Sequence, residues 1–146
     1  YGMKITIEAP KPGEEDEIIV RCTDLDERVL KLIQALRTED KMTGYIDDKI
    51  VKLSLKEIYY FEAVDNKVFS YTAKETYEVH KKLYEIEQAF EYTDFLRISK
   101  SVIVNVAKIA YVKPIFNGRF EAKLKNDEKV IVSRQYVLDL KKKLGI

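Results

Sequence analysis

The stretch whose reading decides the fold is "FLRISKSVIVN", Phe95 to Asn105. Phe95, Leu96, Ile98, Val102, Ile103 and Val104 are bulky or β-branched and read as buried sheet. Arg97, Ser99, Lys100, Ser101 and Asn105 have the opposite character and suit a surface that meets an anion. The two kinds of residue separate cleanly if a short polar loop is mounted between two strands.

Working outward, the text on both sides is mostly strand. "YIDDKIVKLSL" predicts two short strands around Asp47-Asp48. "EIYYFEA" and "KVFSYTA" flank the polar tip Val64-Asp65-Asn66-Lys67, and "ETYEVH" is a further strand. Between Lys81 and Phe90 the period becomes helical, with Leu83, Ile86, Ala89 and Phe90 on one face. "IAYVKPIF", "RFEAKLK" and "KVIVS" follow as strands, with turns at Asn117-Gly118 and Asn126-Asp127. A last helix is expected from Arg134 to Lys143. Ser133 is its N-cap, Val137, Leu140 and Leu144 its apolar face, and Gly145 sits past its end.

Ahead of this lies a smaller β-β-α pattern. "KITIE" (4–8) and "EIIVRC" (17–22) read as strands around the Pro12-Gly13 loop. Leu25, Val29, Leu32, Ile33 and Leu36 share a helical face, with Asp24 and Glu27 at capping-box spacing. The expected organisation is an α+β extension over 1–42 and a mostly β domain over 43–146. The apolar faces of the extension lack cover within it and call for packing on the rest of the chain or on a second copy, which makes it a candidate dimerisation element.

At 146 residues the chain has the length of an ordinary domain, and 46% hydrophobic residues, including ten Tyr and six Phe, supply a core. No apolar run approaches the roughly 18 residues of a membrane span, and the opening residues show no signal-peptide pattern. One cysteine, Cys22, cannot form an internal disulfide, which fits a reducing cytoplasm. It follows Ile18-Ile19-Val20 and is expected to be a passive, half-buried thiol.

Little points to catalysis. One His and one Cys cannot build a His/Cys metal site, and His80 beside Lys81-Lys82 reads as a solvated boundary residue. There is no Gly-rich phosphate loop and no nucleophile elbow. Neither a catalytic residue, a metal nor a cofactor is expected.

Charge is more informative in its distribution than in its sum of +1. Residues 97–146 hold twelve Lys/Arg against four Asp/Glu, and residues 57–96 hold four against nine. A basic third beside an acidic third is a footprint for nucleic acid or an acidic partner. Three tips at strand or helix ends carry the relevant groups: Asp65-Asn66-Lys67, Ser99-Lys100-Ser101 and Ser133-Arg134-Gln135. Asn and Gln pair with adenine edges, and Arg or Lys with guanine, in the major groove. Serine hydroxyls and a helix N-terminus suit phosphate oxygens. Lys108, Lys113, Arg119, Lys123, Lys125 and Lys129 add a basic rise that could follow a phosphate backbone.

Taken in order, "IYYFEAVDNKVFSYT", "LYEIEQAF", "FLRISKSVIVN", "NGRFEAKLKN" and "VIVSRQYVLDLKKKLG" resemble the LytTR DNA-binding domain family from about Thr43 to Leu144. The resemblance implies an elongated arrangement of antiparallel sheets with little helix, whose loops enter successive major grooves. It carries base-reading positions to Asn66 or Lys67, to Lys100 and to Arg134. Arg97 and Ser101 match backbone-contacting positions, and Ser99, Ser133, Gln135 and Arg119 join them as candidate backbone contacts. Ser99 stands where His is common in the family.

Many relatives place a phosphate-accepting receiver ahead of this module, and about forty residues cannot hold one. The expectation is therefore a stand-alone cytoplasmic transcriptional regulator, a homodimer on double-stranded DNA with paired repeat sites. The alternative from another class is a β-rich protein-interaction or ligand-sensing module.

Overall fold

The computed structural model describes residues 3–37 and 41–146. Strands β1 (Lys41–Ile46), β2 (Lys49–Ser54), β3 (Ile58–Val64), β4 (Lys67–Thr72), β5 (Thr76–Val79), β6 (Phe95–Arg97) and β7 (Val102–Asn105) form one sheet in the order β2-β1-β5-β4-β3-β7-β6. Strands β8 (Ile109–Pro114), β9 (Phe120–Leu124) and β10 (Lys129–Val132) form a second, in the order β10-β9-β8. Every pairing is antiparallel. Helices α1 (Glu27–Arg37), α2 (Leu83–Ala89) and α3 (Val137–Leu144) are short. The mostly β reading, with antiparallel sheets and few short helices, holds.

Strand β7 explains why. All four of its residues are buried, because the large sheet is covered on both faces. Ile103 joins Ile58, Phe61, Val68 and Val79 under Leu83, Ile86 and Phe90 of α2 and its end. Val102 and Val104 point the other way, into a core of Ile98, Ala122, Leu124, Val130, Val132 and Leu140 that includes the small sheet and α3. Alternate residues of one strand thus serve two cores. Each fully buried Ile or Leu contributes about 1.5–3 kcal/mol by leaving water. Gly44 in β1 is closely packed: a Cβ there would lie 2.6 Å from Leu53 Cδ1 and 3.0 Å from Tyr77 Cβ, so the Leu53 side chain would have to shift.

Two helix starts differ from the sequence reading. The cap of α1 is Asp26, whose Oδ1 accepts the Val29 N–H at 3.1 Å, and not Asp24. Before α3 the chain makes a 3-10 turn at Arg134–Tyr136, and the Ser133 side chain makes no cap bond. The left-handed Gly145 (φ 74°) ends α3 as expected.

The larger difference is at the N-terminus. The two expected strands, 4–8 and 17–22, do not form. The chain reverses at Lys11–Glu14, where Glu14 N–H donates to the Lys11 carbonyl at 3.0 Å, but no ladder follows. A strand owes its persistence to a partner edge, and none of the sheet pairings reaches these residues. Ile5, Ile7, Ile18 and Ile19 are consequently exposed, Ile7 at 92%. Cys22 is exposed for the same reason, not half-buried. Only α1 of the expected β-β-α unit is built. It buries Val29, leaves Leu32 and Leu36 exposed, and is tied to α2 by Gln34 Nε2 donating to the Ala89 carbonyl at 2.6 Å; Leu25, expected on its apolar face, precedes the helix and is exposed.

Candidate nucleic-acid interface

All three tips sit at the same end of the sheets, and backbone hydrogen bonds connect them. The tip between β3 and β4 is a two-residue turn with Val64 opposite Lys67. Asp65 (φ 50°) and Asn66 (φ 65°) both adopt the left-handed conformation such a hairpin needs, and Asn and Asp tolerate it best after Gly. Just below this tip, Ala63 N–H donates to the Ser101 carbonyl at 2.8 Å. On the other side of the same loop, Ser133 N–H donates to the Ile98 carbonyl at 2.8 Å. The loop of residues 98–101 is therefore the keystone between the other two tips.

That loop is held from inside and from below. Ile98 is fully buried, and its N–H donates to the Val102 carbonyl at 3.0 Å. Ser101 N–H donates to Ser99 Oγ at 3.2 Å, so one serine is spent on shaping the turn. Arg97 crosses beneath. Its Nε donates to the Ser99 carbonyl at 2.7 Å, its Nη2 to the Lys100 carbonyl, and its Nη1 to Glu87 Oε1 on α2 at 3.1 Å. The planar fork suits this job, which a lysine could not copy. Arg97, expected at the DNA backbone, is occupied in supporting the loop that carries Lys100.

The candidate readers are in the opposite state. Asn66, Lys67, Lys100 and Arg134 are exposed, and among the described residues their side chains make no hydrogen bond or ion pair. Gln135 is exposed beside Arg134, and Ser133 is half-buried at the strand end. Arg119 lies in the turn between β8 and β9 and donates from Nε to the Phe116 carbonyl at 3.2 Å. That turn also reaches the basic end: the Arg134 side chain packs against Gly118. The sequence reading missed this fourth loop as a neighbour of Arg134. The Asn117-Gly118 signal marked the turn but not what it would touch.

The basic rise is not a single stripe. Lys108 and Lys125 lie at the far end of the small sheet, joined by Lys125 N–H donating to the Lys108 carbonyl at 2.9 Å. Lys113 pairs with Glu121 at 3.5 Å and Lys123 with Asp127 at 3.8 Å. Lysines at successive positions alternate faces in a strand, so a run in sequence splits in space. Within the large sheet Tyr60 of β3 and Tyr71 of β4 are cross-strand partners and stack, with ring centres 4.3 Å apart. Tyr71 donates to Glu62 Oε1 at 3.0 Å. Burial, then the bond to Glu62, pushes the Tyr71 hydroxyl up to about 12. Burial, then the carboxylate of Glu128, pushes Tyr60 above its ordinary value as well. His80, read as solvated, is exposed and stacks on Tyr45 with ring centres 3.7 Å apart.

The chain is thus a β-rich domain of antiparallel sheets that presents exposed hydrogen-bond donors on connected loop tips. The family model for the LytTr DNA-binding domain matches residues 48–145, and the chain belongs to that family. A solved LytTr DNA-binding domain of a methyl-accepting/DNA response regulator from Bacillus cereus superposes with a TM-score of 0.70 at 28% identity, over 74% of this chain and 99% of that one. The sensory transduction protein LytT of Bacillus anthracis is 37% identical over 106 residues, 73% of this chain. The chain spans 43% of that relative's length. An HTH-type transcriptional regulator of Staphylococcus aureus strain MSSA476 is 28% identical over 147 residues, covering 99% of both chains. The chain carries a DNA-binding domain of transcription regulators. No helix among the described residues is long and apolar enough to cross a membrane.

Proposed function

We propose that the protein is a sequence-specific regulator of transcription that reads the major groove of double-stranded DNA through its loop tips. The observation that carries this reading is the set of exposed, unengaged donors Asn66, Lys67, Lys100 and Arg134 on tips joined through the 98–101 loop. Donors held on a rigid base meet base edges without the entropic cost of ordering a loop. Arg134 reads a guanine, and Asn66 or Lys67 and Lys100 supply the other base contacts. Ser99, Ser101, Ser133, Gln135 and Arg119 face phosphates, and Arg97 acts on the backbone-facing rim by way of the loop it supports.

Loop reading also accounts for the helices. Among the described residues α1, α2 and α3 are separated in sequence and engaged with the cores or with α2, so none is offered as a recognition helix. The protein acts in the cytoplasm, as a homodimer on paired repeats, with residues 1–42 as the dimerisation element and 43–146 as the DNA-binding domain. What supports dimerisation is the exposure of Ile5, Ile7, Ile18, Ile19, Leu32 and Leu36.

The test is selection of bound duplexes from a random pool by the full chain, followed by Arg134→Ala. A recovered site with one position at which the substitution removes about 1–3 kcal/mol of preference supports the reading. Recovery of no sequence, or unchanged preference in the variant, overturns it.

A further inference from the structure

The turn between β8 and β9 is tightly built. Ile115 N–H donates to the Arg119 carbonyl at 2.9 Å, and Arg119 Nε closes onto the Phe116 carbonyl at 3.2 Å. Asn117 (φ 64°) and Gly118 (φ 73°) are both left-handed. A Cβ placed on Gly118 would lie 3.0 Å from Arg134 Cδ and 3.2 Å from Arg134 Cγ. Those separations are tighter than ordinary carbon contacts, whose optimum is about 3.5–4.0 Å, so the Arg134 stem would have to give way. The aliphatic stem of Arg134 thus rests on the bare Cα of Gly118. No hydrogen bond or ion pair among the described residues directs the guanidinium. This contact and the backbone junction at Ser133 are then what aim it.

We infer that Gly118 is a positioning residue for Arg134, and through it determines specificity at the base pair that Arg134 reads. The inference rests on the base-reading role of Arg134. A flexible arginine loses rotamer freedom when it binds, and a preformed seat removes part of that loss beforehand. A bidentate pair also demands that both donors arrive in plane. Any side chain at 118 displaces the stem by a few tenths of an ångström and swings the fork at its end. The left-handed backbone at φ 73° favours glycine in its own right, with Asn the best-tolerated substitute, and the seat adds a second demand for it.

The experiment uses the full chain and a duplex recovered from a random pool by the wild-type protein. Binding is measured for that duplex and for versions changed at the base pair sensitive to Arg134→Ala. Gly118→Ala is expected to reduce discrimination at that base pair about five- to tenfold, as misaligned donors do, with the salt dependence unchanged. In the Arg134→Ala background the same substitution is expected to change affinity by less than about twofold, because its partner is gone. Equal losses in both backgrounds would mean a purely structural role and overturn the inference. So would full discrimination retained by a folded Gly118→Ala variant. Gly118→Asn, which tolerates the backbone but still adds a Cβ, repeats the measurement if the alanine variant does not fold. Should Arg134→Ala itself leave preference intact, it is the parent reading that fails, and the two failures are distinct.

Discussion

Arg97→Ala tests how the central loop is supported. Arg97 is 17% exposed in its side chain and makes three bonds, two to loop carbonyls and one to Glu87, which is 47% exposed. The exposed ion pair is worth about 0.2–1 kcal/mol. The carbonyl bonds come from a charged donor, but water can reach the loop once the side chain is gone, so each nets about 1 kcal/mol or less. The total is about 2 kcal/mol, which for a chain of this size lowers Tm by about 4–8 °C. Thermal unfolding followed by circular dichroism measures it. On DNA, a loop that must be ordered on binding loses about tenfold in specific affinity, or about 1.4 kcal/mol. The number of phosphate contacts is unchanged, so the slope of log affinity against log salt stays as in the wild type. Arg97→Lys keeps the charge without the fork and should behave like the alanine variant. The reasoning is refuted if lysine restores affinity while alanine lowers the salt slope by about one. In that outcome Arg97 is a phosphate contact.

Three further outcomes are expected. Asn105, buried at the end of β7, donates from Nδ2 to the Ile58 carbonyl at 2.9 Å and accepts the Ala107 N–H at 3.1 Å. Asn105→Ala leaves both partners wanting and should cost about 2–4 kcal/mol, read from the denaturant midpoint at unchanged slope. Tyr71 is raised to about 12 in the folded chain, against about 10 when unfolded. Its contribution is therefore fully present below about pH 10 and lost as pH rises through 12. Wild type should lose more stability between pH 9 and pH 11.5 than Tyr71→Phe does, and equal losses in urea titrations would contradict this. Finally, replacing exposed Ile5 and Ile7 by Asp should shift the light-scattering mass from dimer towards monomer with little change in Tm. A wild-type chain that is monomeric at micromolar concentration and on DNA would remove the dimer from the model.

Much of the domain was legible because alternation, turn residues and periodicity are local. Asp65-Asn66 and Asn117-Gly118 announce left-handed turns, since few other pairs adopt them at so little cost. Ser133-Arg134-Gln135 was recognisable as a tip because a strand ends and a helical period begins there. The N-terminal strands were misread for a reason equally physical. Alternation states which faces would pair, but it cannot supply a partner, and 4–8 and 17–22 have none in this fold. The resemblance of the residue pattern to the LytTR family supplied the order of the loops and the candidate readers.

By itself, then, the sequence determined the strands from Tyr45 onward, the turns between them, and the identity of the donors on each tip, while the start of β1 at Lys41 came only with the structure. Only the tertiary structure decided which donors are free and which are engaged. Arg97 and Arg134 are the same residue type at the same basic end. One is consumed by the Ser99 and Lys100 carbonyls and Glu87, while the other lies unpaired along Gly118. Hydrogen-bond partners and seats are set by chain segments that meet only after folding. What a residue can do is written locally, and what it is left free to do is settled by its neighbours in space.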